Sequence, residues 1–371
     1  MIMGEHTSSR ESFERESRRA TSDDGPATKK AEQHAHETGK LNPLVDPAGY
    51  GVIRRSLPRF TEKDGHFILN VGTPMPIETR IDTTGSMGNN IDICLRVMKN
   101  LFEPCEVALP GYDKQIATGI FGDVQDRFVL CRPQFEMEPE KIVKQLTLMV
   151  PERDGGDLPE DPHYGIFGAA YLTAAYINLI GLKGYDFTVS DAPARDYLDE
   201  RELIRIFGSE VFEKVKENKF QMKKNDIPDT REVVNDLLKR AHAFFLQVDN
   251  NRETSTFWTK IFGPNRVVKL PRTEILPQVQ ATIIGLSEAT LQLADVKDFL
   301  RKNNVSAGDA EIVAHSVANI PIGAQAALPN FKKRPQKGDV FKNKTDPWPM
   351  NEGESAGKKP IKPAKKSSGW L

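Results

Sequence analysis

IDTTGSMGNN, residues 81–90, ends one run of residues and begins another, and it sets Asp82, Thr83, Thr84 and Ser86 within five positions. Upstream, PIETRID (76–82) reads as a strand. Downstream, in NNIDICLRVMKNLF (89–102), Ile91, Cys94, Leu95, Met98, Leu101 and Phe102 recur at i, i+3, i+4 spacing, which predicts a helix with one apolar face. The hydroxyl-rich turn therefore sits where a strand hands over to a helix. One simple role for it is to cap that helix through Ser86 or Asn89.

The alternation continues along the chain. IATGIFGD (116–123) and RFVLC (127–131) flank a turn-like DVQD and predict a hairpin, with the acids of GDVQDR expected in a polar turn. A helix is expected in EPEKIVKQLTLMV, another over 163–183, a strand in YDFTVSD (185–191), and helices near 199–219 and 230–241. AFFLQVD (243–249) and RVVKLP read as strands around a helical TSTFWTKIF, and residues 275 to about 327 read as helical throughout. Strands alternating with helices predict an α/β fold: a doubly wound, mostly parallel, Rossmann-like sheet covered on both faces. Ligands of such sheets bind beyond the carboxyl ends of the strands, and Asp82 and Asp191 both close strands. Trp258 is expected in the core, and His163 at a helix start facing solvent.

Composition sets the limits. The 371 residues carry a net charge of −1, but residues 331–371 hold 11 Lys and Arg against 4 Asp and Glu, a net +7, which leaves about −8 on the rest. Residues 1–45 contain few large apolar side chains and are expected to stay disordered, because they cannot bury enough surface to offset ordering entropy. The expected organisation is a polar tail over 1–45, a domain over 46–328 with a C-terminal helical extension, and a disordered basic tail over 329–371. Cys94, Cys105 and Cys131 form neither a CxxC nor a zinc-type cluster, and no signal-type apolar segment opens the sequence, so a cytoplasmic location is expected. The uncharged Ile166–Leu182 reaches the lower length limit of a spanning helix, yet Thr173, Asn178 and the glycines within it fit a helix buried against a sheet, and no membrane contact is expected.

D-x-T-x-S spacing turns Asp82, Thr84 and Ser86 to one side of a loop. An oxygen-only donor set of one carboxylate and two hydroxyls suits a hard cation such as Mg2+, and neutral hydroxyls leave that cation electron-poor. DTTGSMG resembles the metal-ion-dependent adhesion site of von Willebrand factor A (vWA) domains. DGGDLPED (154–161) resembles the second metal loop of bacterial vWA proteins and VSDAPARD (189–196) the third; the likeness spans roughly residues 65–300. It implies a vWA domain of the intracellular bacterial or phage type holding Mg2+ or Mn2+ through Asp82, Thr84, Ser86, Asp157 and Asp191. Asp157 stands where adhesion-type domains usually offer a threonine, and it either ligates directly, acts through water or caps the next helix. A second departure is Glu78 and Arg80, which share a face with Asp82 on a strand that the family keeps apolar.

The resemblance further implies a metal-dependent protein-interaction module, an adaptor or scaffold that takes an acidic residue of a partner protein, often beside an AAA+ ATPase. Nucleophile elbows, P-loops, HExxH and kinase signatures are absent, so no enzyme is expected, and a Mg2+-dependent hydrolase is the weaker reading. The alternative is a structural or nucleic-acid-associated protein that acts through the basic residues 331–371.

Overall fold

The computed structural model describes residues 28–49, 51–58, 60–63, 66–69, 73–155, 159–222, 226–328 and 340–341. Helix α1 (Lys29–Thr38) precedes the short strands β1 (Arg54–Ser56), β2 (Phe60–Lys63) and β3 (His66–Leu69) and the long β4 (Thr73–Asp82). Helices α2 (Asn90–Met98) and α3 (Phe102–Ala108) lead to β5 (Tyr112–Phe121) and β6 (Leu130–Cys131). Then come α4 (Pro139–Leu146), α5 (Pro162–Tyr171), β7 (Thr173–Ala175) and β8 (Gly184–Ser190). Helices α6 (Glu200–Phe207), α7 (Val211–Glu217) and α8 (Thr230–Arg240) precede β9 (Ala241–Gln247), α9 (Arg252–Phe262) and β10 (Val267–Lys269). Helices α10 (Leu276–Glu288), α11 (Val296–Lys302) and α12 (Ala307–Ser316) follow, and β11 (Val340–Phe341) pairs with β3.

The central sheet has the order β10-β9-β8-β4-β5-β6, parallel except for the edge strand β6. This is the expected doubly wound α/β arrangement. Alternate residues of the strands feed two apolar layers. Ile77, Ile81, Ile116, Phe187 and Leu246 join α2 and α10 on one face, while Phe121 and Phe245 join α5, α8 and α9 on the other. Trp258 of α9 is fully buried, stacked on Phe245, as expected.

Strand β4 is buried along its whole length although it carries Glu78 and Arg80. Their charges are met inside the protein. The Arg80 guanidinium donates to both carboxylate oxygens of Asp186 on β8, at 2.6 and 2.5 Å, and Arg132 donates to Glu78 at 2.7 and 3.0 Å. Helix α5 makes room for this ionic layer through two glycines. A Cβ at Gly165 would stand 2.9 Å from Arg80 Cδ, and one at Gly168 would stand 3.2 Å from Arg132 Nε.

Several expectations need correction. The long helix expected over 163–183 ends at Tyr171, because the chain turns into β7 to pair in parallel with β1. Asn218 and Arg240 then take the carbonyls left at that helix end, Asn218 donating to Tyr171 O at 2.8 Å and Arg240 to Ala170 O. Among the described residues no helix is long and apolar enough to cross a membrane. Residues 275–327 form three α-helices rather than continuous helix, closed by Gln325, which exchanges hydrogen bonds with the Lys183 backbone at 3.0 and 2.8 Å. The polar tail expected to residue 45 does not hold for residues 28–45. Helix α1 lies there, with Ala35 and Val45 fully buried in the core as anchors and Val45 O accepting from Arg132 N. Residues 1–27 and most of the expected basic tail lie outside the described residues; within that tail, Val340–Phe341 forms β11.

Candidate functional site

From β4 the chain winds first to β5 and β6 on one side, then returns to build β8, β9 and β10 on the other. The crevice beyond the carboxyl ends of β4 and β8 is thus the topological switch point of the sheet. Asp82 is the last residue of β4, and Asp191 follows the last residue of β8. Thr83 ties the first loop to β5 through its backbone N–H and hydroxyl, both donating to Phe121 O at 2.9 Å. After an extended Thr84, one turn of 3-10 helix (Gly85–Met87) buries Met87 as an anchor, and Gly88 takes a positive φ of 49° before α2 begins.

Three segments meet through one continuous set of contacts. Asp82 Oδ1 accepts from the Thr84 N–H at 2.9 Å and the Thr84 hydroxyl at 2.7 Å, and Asp82 Oδ2 accepts from the Ser190 hydroxyl at 2.5 Å. Thr84 Oγ1 and Ser86 Oγ lie 3.3 Å apart, and Ser86 Oγ donates to Asp191 Oδ1 at 2.9 Å. Asp82 and Thr84 are fully buried whereas Ser86 is exposed, so the cluster opens to solvent at one end. Four of the five residues singled out from sequence therefore come together. The fifth, Asp157, lies outside the described residues.

Burial pushes the Asp82 carboxyl up to about 6, with hydrogen bonds from Ser190 and Thr84 opposing and the Asp191 charge adding. Asp191 is raised too, by burial, against the hydrogen bond from Ser86.

Sequence reasoning missed Glu160. It is 4% exposed, its Oε2 finds no hydrogen-bond partner among the described residues, and burial together with the charges of Asp82 and Asp123 pushes it up to about 8. Its backbone is held by a bridge to the third loop, Glu160 N to Pro193 O at 2.9 Å and Arg195 N to Glu160 O at 3.1 Å. The signal was an acid set between two prolines in PEDP just ahead of an apolar helix, but nothing local shows that the segment folds inward. The second loop also reaches the first directly, Gly85 N donating to Asp154 O at 2.8 Å, while Arg153 pairs with Asp92 of α2 at 2.8 Å.

Two readings change here. His163 is fully buried, not solvent-facing; its Nε2 lies 3.6 Å from Asp161 Oδ1, and burial followed by the Arg195 charge pushes it down to about 3. The acids of GDVQDR are buried as well. Asp123 accepts from Arg195 at 3.1 Å and Asp126 from the Asp123 N–H at 2.8 Å, so the turn is braced from inside rather than solvated.

Among the described residues no group of three or more His, Cys, Asp and Glu side chains is placed to hold a metal ion. The cluster at the switch point is of another kind, two carboxylates with two hydroxyls.

No family model matches the chain, and no curated protein matches it. Solved structures similar to part of it include the open conformation of the pilus adhesin SpaC from Lactobacillus rhamnosus GG, at 12% identity and a TM-score of 0.39, covering 62% of this chain and 33% of the adhesin. Another is proximal thread matrix protein 1 from the mussel byssus, at 11% identity and a TM-score of 0.37, covering 58% of this chain and 48% of that one. The same matrix protein with a zinc-occupied MIDAS motif matches at 12% identity with the same TM-score and coverage. The chain thus spans less than half the length of these proteins.

Proposed function

We propose that this chain is a metal-dependent protein-interaction module of the vWA type, in which Asp82, Thr84, Ser86 and Asp191 hold Mg2+ or Mn2+ and the cation takes an acidic residue of a partner. The observation that carries the reading is the unbroken run Asp82–Thr84–Ser86–Asp191 at the switch point, oxygen donors only, buried at one end and open at the other. The donor set fits a hard divalent cation. The orphaned Glu160 Oε2 beside it fits as well, being a buried acceptor that lacks a positive partner. Bound there, the cation supplies an electrophilic position for a carboxylate. The chain's own residues do the rest: Asp82 and Asp191 provide the charge, the two hydroxyls provide neutral oxygens, and Ser190 and the Thr84 N–H orient Asp82. We assign no residue a catalytic role.

One observation favours a second reading. Glu160 adds a third carboxylate near the cluster, and a cation surrounded by three negative groups is a structural staple rather than a receptor. Capture of partners from a source lysate, with Mg2+ against EDTA and with Asp82→Ala as control, tests the primary reading. Partners lost both in EDTA and in the variant support it; a partner set unchanged by EDTA sinks it.

A further inference from the structure

We propose that Arg195 is the positioning residue of the cation site: a half-buried guanidinium that clamps the second loop to the third and so holds Glu160 against the Asp82–Thr84 end of the cluster. The proposal rests on the cation-site reading above. Arg195 lies four residues beyond Asp191 on the same loop, and that loop is itself fixed, Trp258 Nε1 donating to Ala192 O at 2.9 Å and Ala192 N to Ser190 Oγ at 3.0 Å. From this rigid base the guanidinium reaches two buried carboxylates on two other segments. Nη1 donates to Asp161 Oδ2 at 2.5 Å and Nη2 to Asp123 Oδ2 at 3.1 Å. The backbone of Arg195 meanwhile donates to Glu160 O. Glu160 and Asp161 are thus gripped from the backbone and the side chain by one residue.

The charge arithmetic around the crevice gives Arg195 a second consequence. Asp123 and Asp161 are both buried, and Asp161 Oδ2 also accepts from the Val124 N–H at 2.7 Å. The guanidinium between them sets one positive charge against their two negative ones and fixes both carboxylates by hydrogen bonds, pointing them into the clamp and away from the cluster. Asp82 and Asp191 remain as the acids of the hydrogen-bonded cluster, with Glu160 beside its Asp82–Thr84 end. Without Arg195 the two acids would keep only backbone N–H donors and lose the positive charge between them, and repulsion among Asp123, Asp161 and Glu160 would drive the 159–161 segment away from Thr84. Buried residues that orient the ligands of a metal site typically change its affinity by about 10- to 100-fold when removed.

The test is the Mn2+ dissociation constant of the full chain by calorimetry, taken well below the melting temperature each variant shows in EDTA, for wild type, Asp82→Ala, Arg195→Met and the triple variant Asp123→Asn, Asp161→Asn, Arg195→Met. The triple variant removes the buried charges along with the clamp, so it remains measurable if Arg195→Met alone does not fold. We expect Asp82→Ala to abolish binding, and whichever Arg195 variants fold to weaken it by about tenfold or more. A merely structural role would lower the melting temperature and leave the affinity of the folded protein untouched. Wild-type affinity in a folded Arg195 variant overturns the proposal, even where Asp82→Ala still abolishes binding. If wild type itself binds no Mn2+, or binds it no better than Asp82→Ala, the cation-site reading fails instead.

Discussion

Ser86 Oγ donates to Asp191 Oδ1 at 2.9 Å, joining residues 105 positions apart. This bond bridges the first and third loops at the solvent-open end of the cluster, while Ser190 to Asp82 bridges them at the buried end. The deeper pair carries the charge that orders the cluster. Asp82→Ala should therefore remove Mg2+ and Mn2+ binding in calorimetry and leave the far-ultraviolet circular dichroism spectrum unchanged. Ser86→Ala removes one neutral oxygen and should weaken binding without abolishing it. Equal loss in both variants would contradict the charge ordering.

Thr84→Ala separates a receptor from a staple. In a receptor, partner capture disappears while the melting temperature barely moves. In a staple, EDTA lowers the melting temperature of the wild type by several degrees, because a ligand bound only to the native state is withdrawn, and capture falls only in step with unfolding. Thermal melts with Mg2+ and with EDTA, run beside the capture assay, distinguish the two.

In EDTA, stability should fall as pH rises. Burial lifts Asp82 from 3.8 to about 6, Asp161 from 3.8 to about 6 and Glu160 from 4.5 to about 8, so the folded protein holds protons that the unfolded chain has already released. The stability they contribute is fully present below about pH 4 and is lost as pH rises through about 6 and then about 8. A cation at the cluster replaces the protons of Asp82 and Glu160, whereas Asp161 stays with Arg195, so the stabilisation added by Mg2+ should grow over the same window. Urea titrations at pH 5 and pH 8 with and without Mg2+ read both effects. An Mg2+ increment that is equal at the two pH values would mean that the cation does not displace these protons.

The ion pair of Arg80 with Asp186 supports the site from below. Asp186→Asn should destabilise by about 3–5 kcal/mol, since it takes from the buried Arg80 guanidinium its hydrogen-bonded counter-charge and leaves it Glu78 at 3.9 Å, a carboxylate already bound to Arg132. Replacing both, Arg80→Met with Asp186→Leu, should recover most of that loss in urea unfolding. A double variant as unstable as the single one would show that the ionic layer does more than neutralise itself.

Much of this architecture is legible in local sequence. The apolar runs of β8 and β9 and the helical spacing of α2 are carried by neighbouring residues. Asp82, Thr84, Ser86 and Asp191 stand out because nothing in a strand end or a helix start requires an acid followed by hydroxyls at alternate positions. What escapes is set at a distance. Glu78 and Arg80 look unfit for a central strand until Arg132 and Asp186 are brought beside them by the sheet. The end of α5 at Tyr171 follows from pairing between β7 and β1, more than a hundred positions apart, and local propensity carries no trace of it. Glu160 escapes notice and His163 reads as solvent-facing because a polar loop beside prolines looks exposed; Pro193 and Arg195, which fold that loop inward, come some thirty positions later. Helix α1 is held through a few buried contacts, too sparse to lift the composition of its surroundings.

The alternating charges of β4 also act as an index mark. Hydrophobic patterning cannot reject a slip of two residues between parallel strands, because such a slip returns every side chain to the same face. The ionic layer can. Sliding β4 by two residues past β8 in either direction would bring Glu78 or Asp82 to the place where Arg80 now meets Asp186 and Thr188, setting carboxylate against carboxylate in a buried layer. One register survives, and it is the register that delivers Asp82 to the tip of the sheet within reach of Ser190. A shift of two residues would carry Asp82 about 7 Å along the strand, away from that hydroxyl.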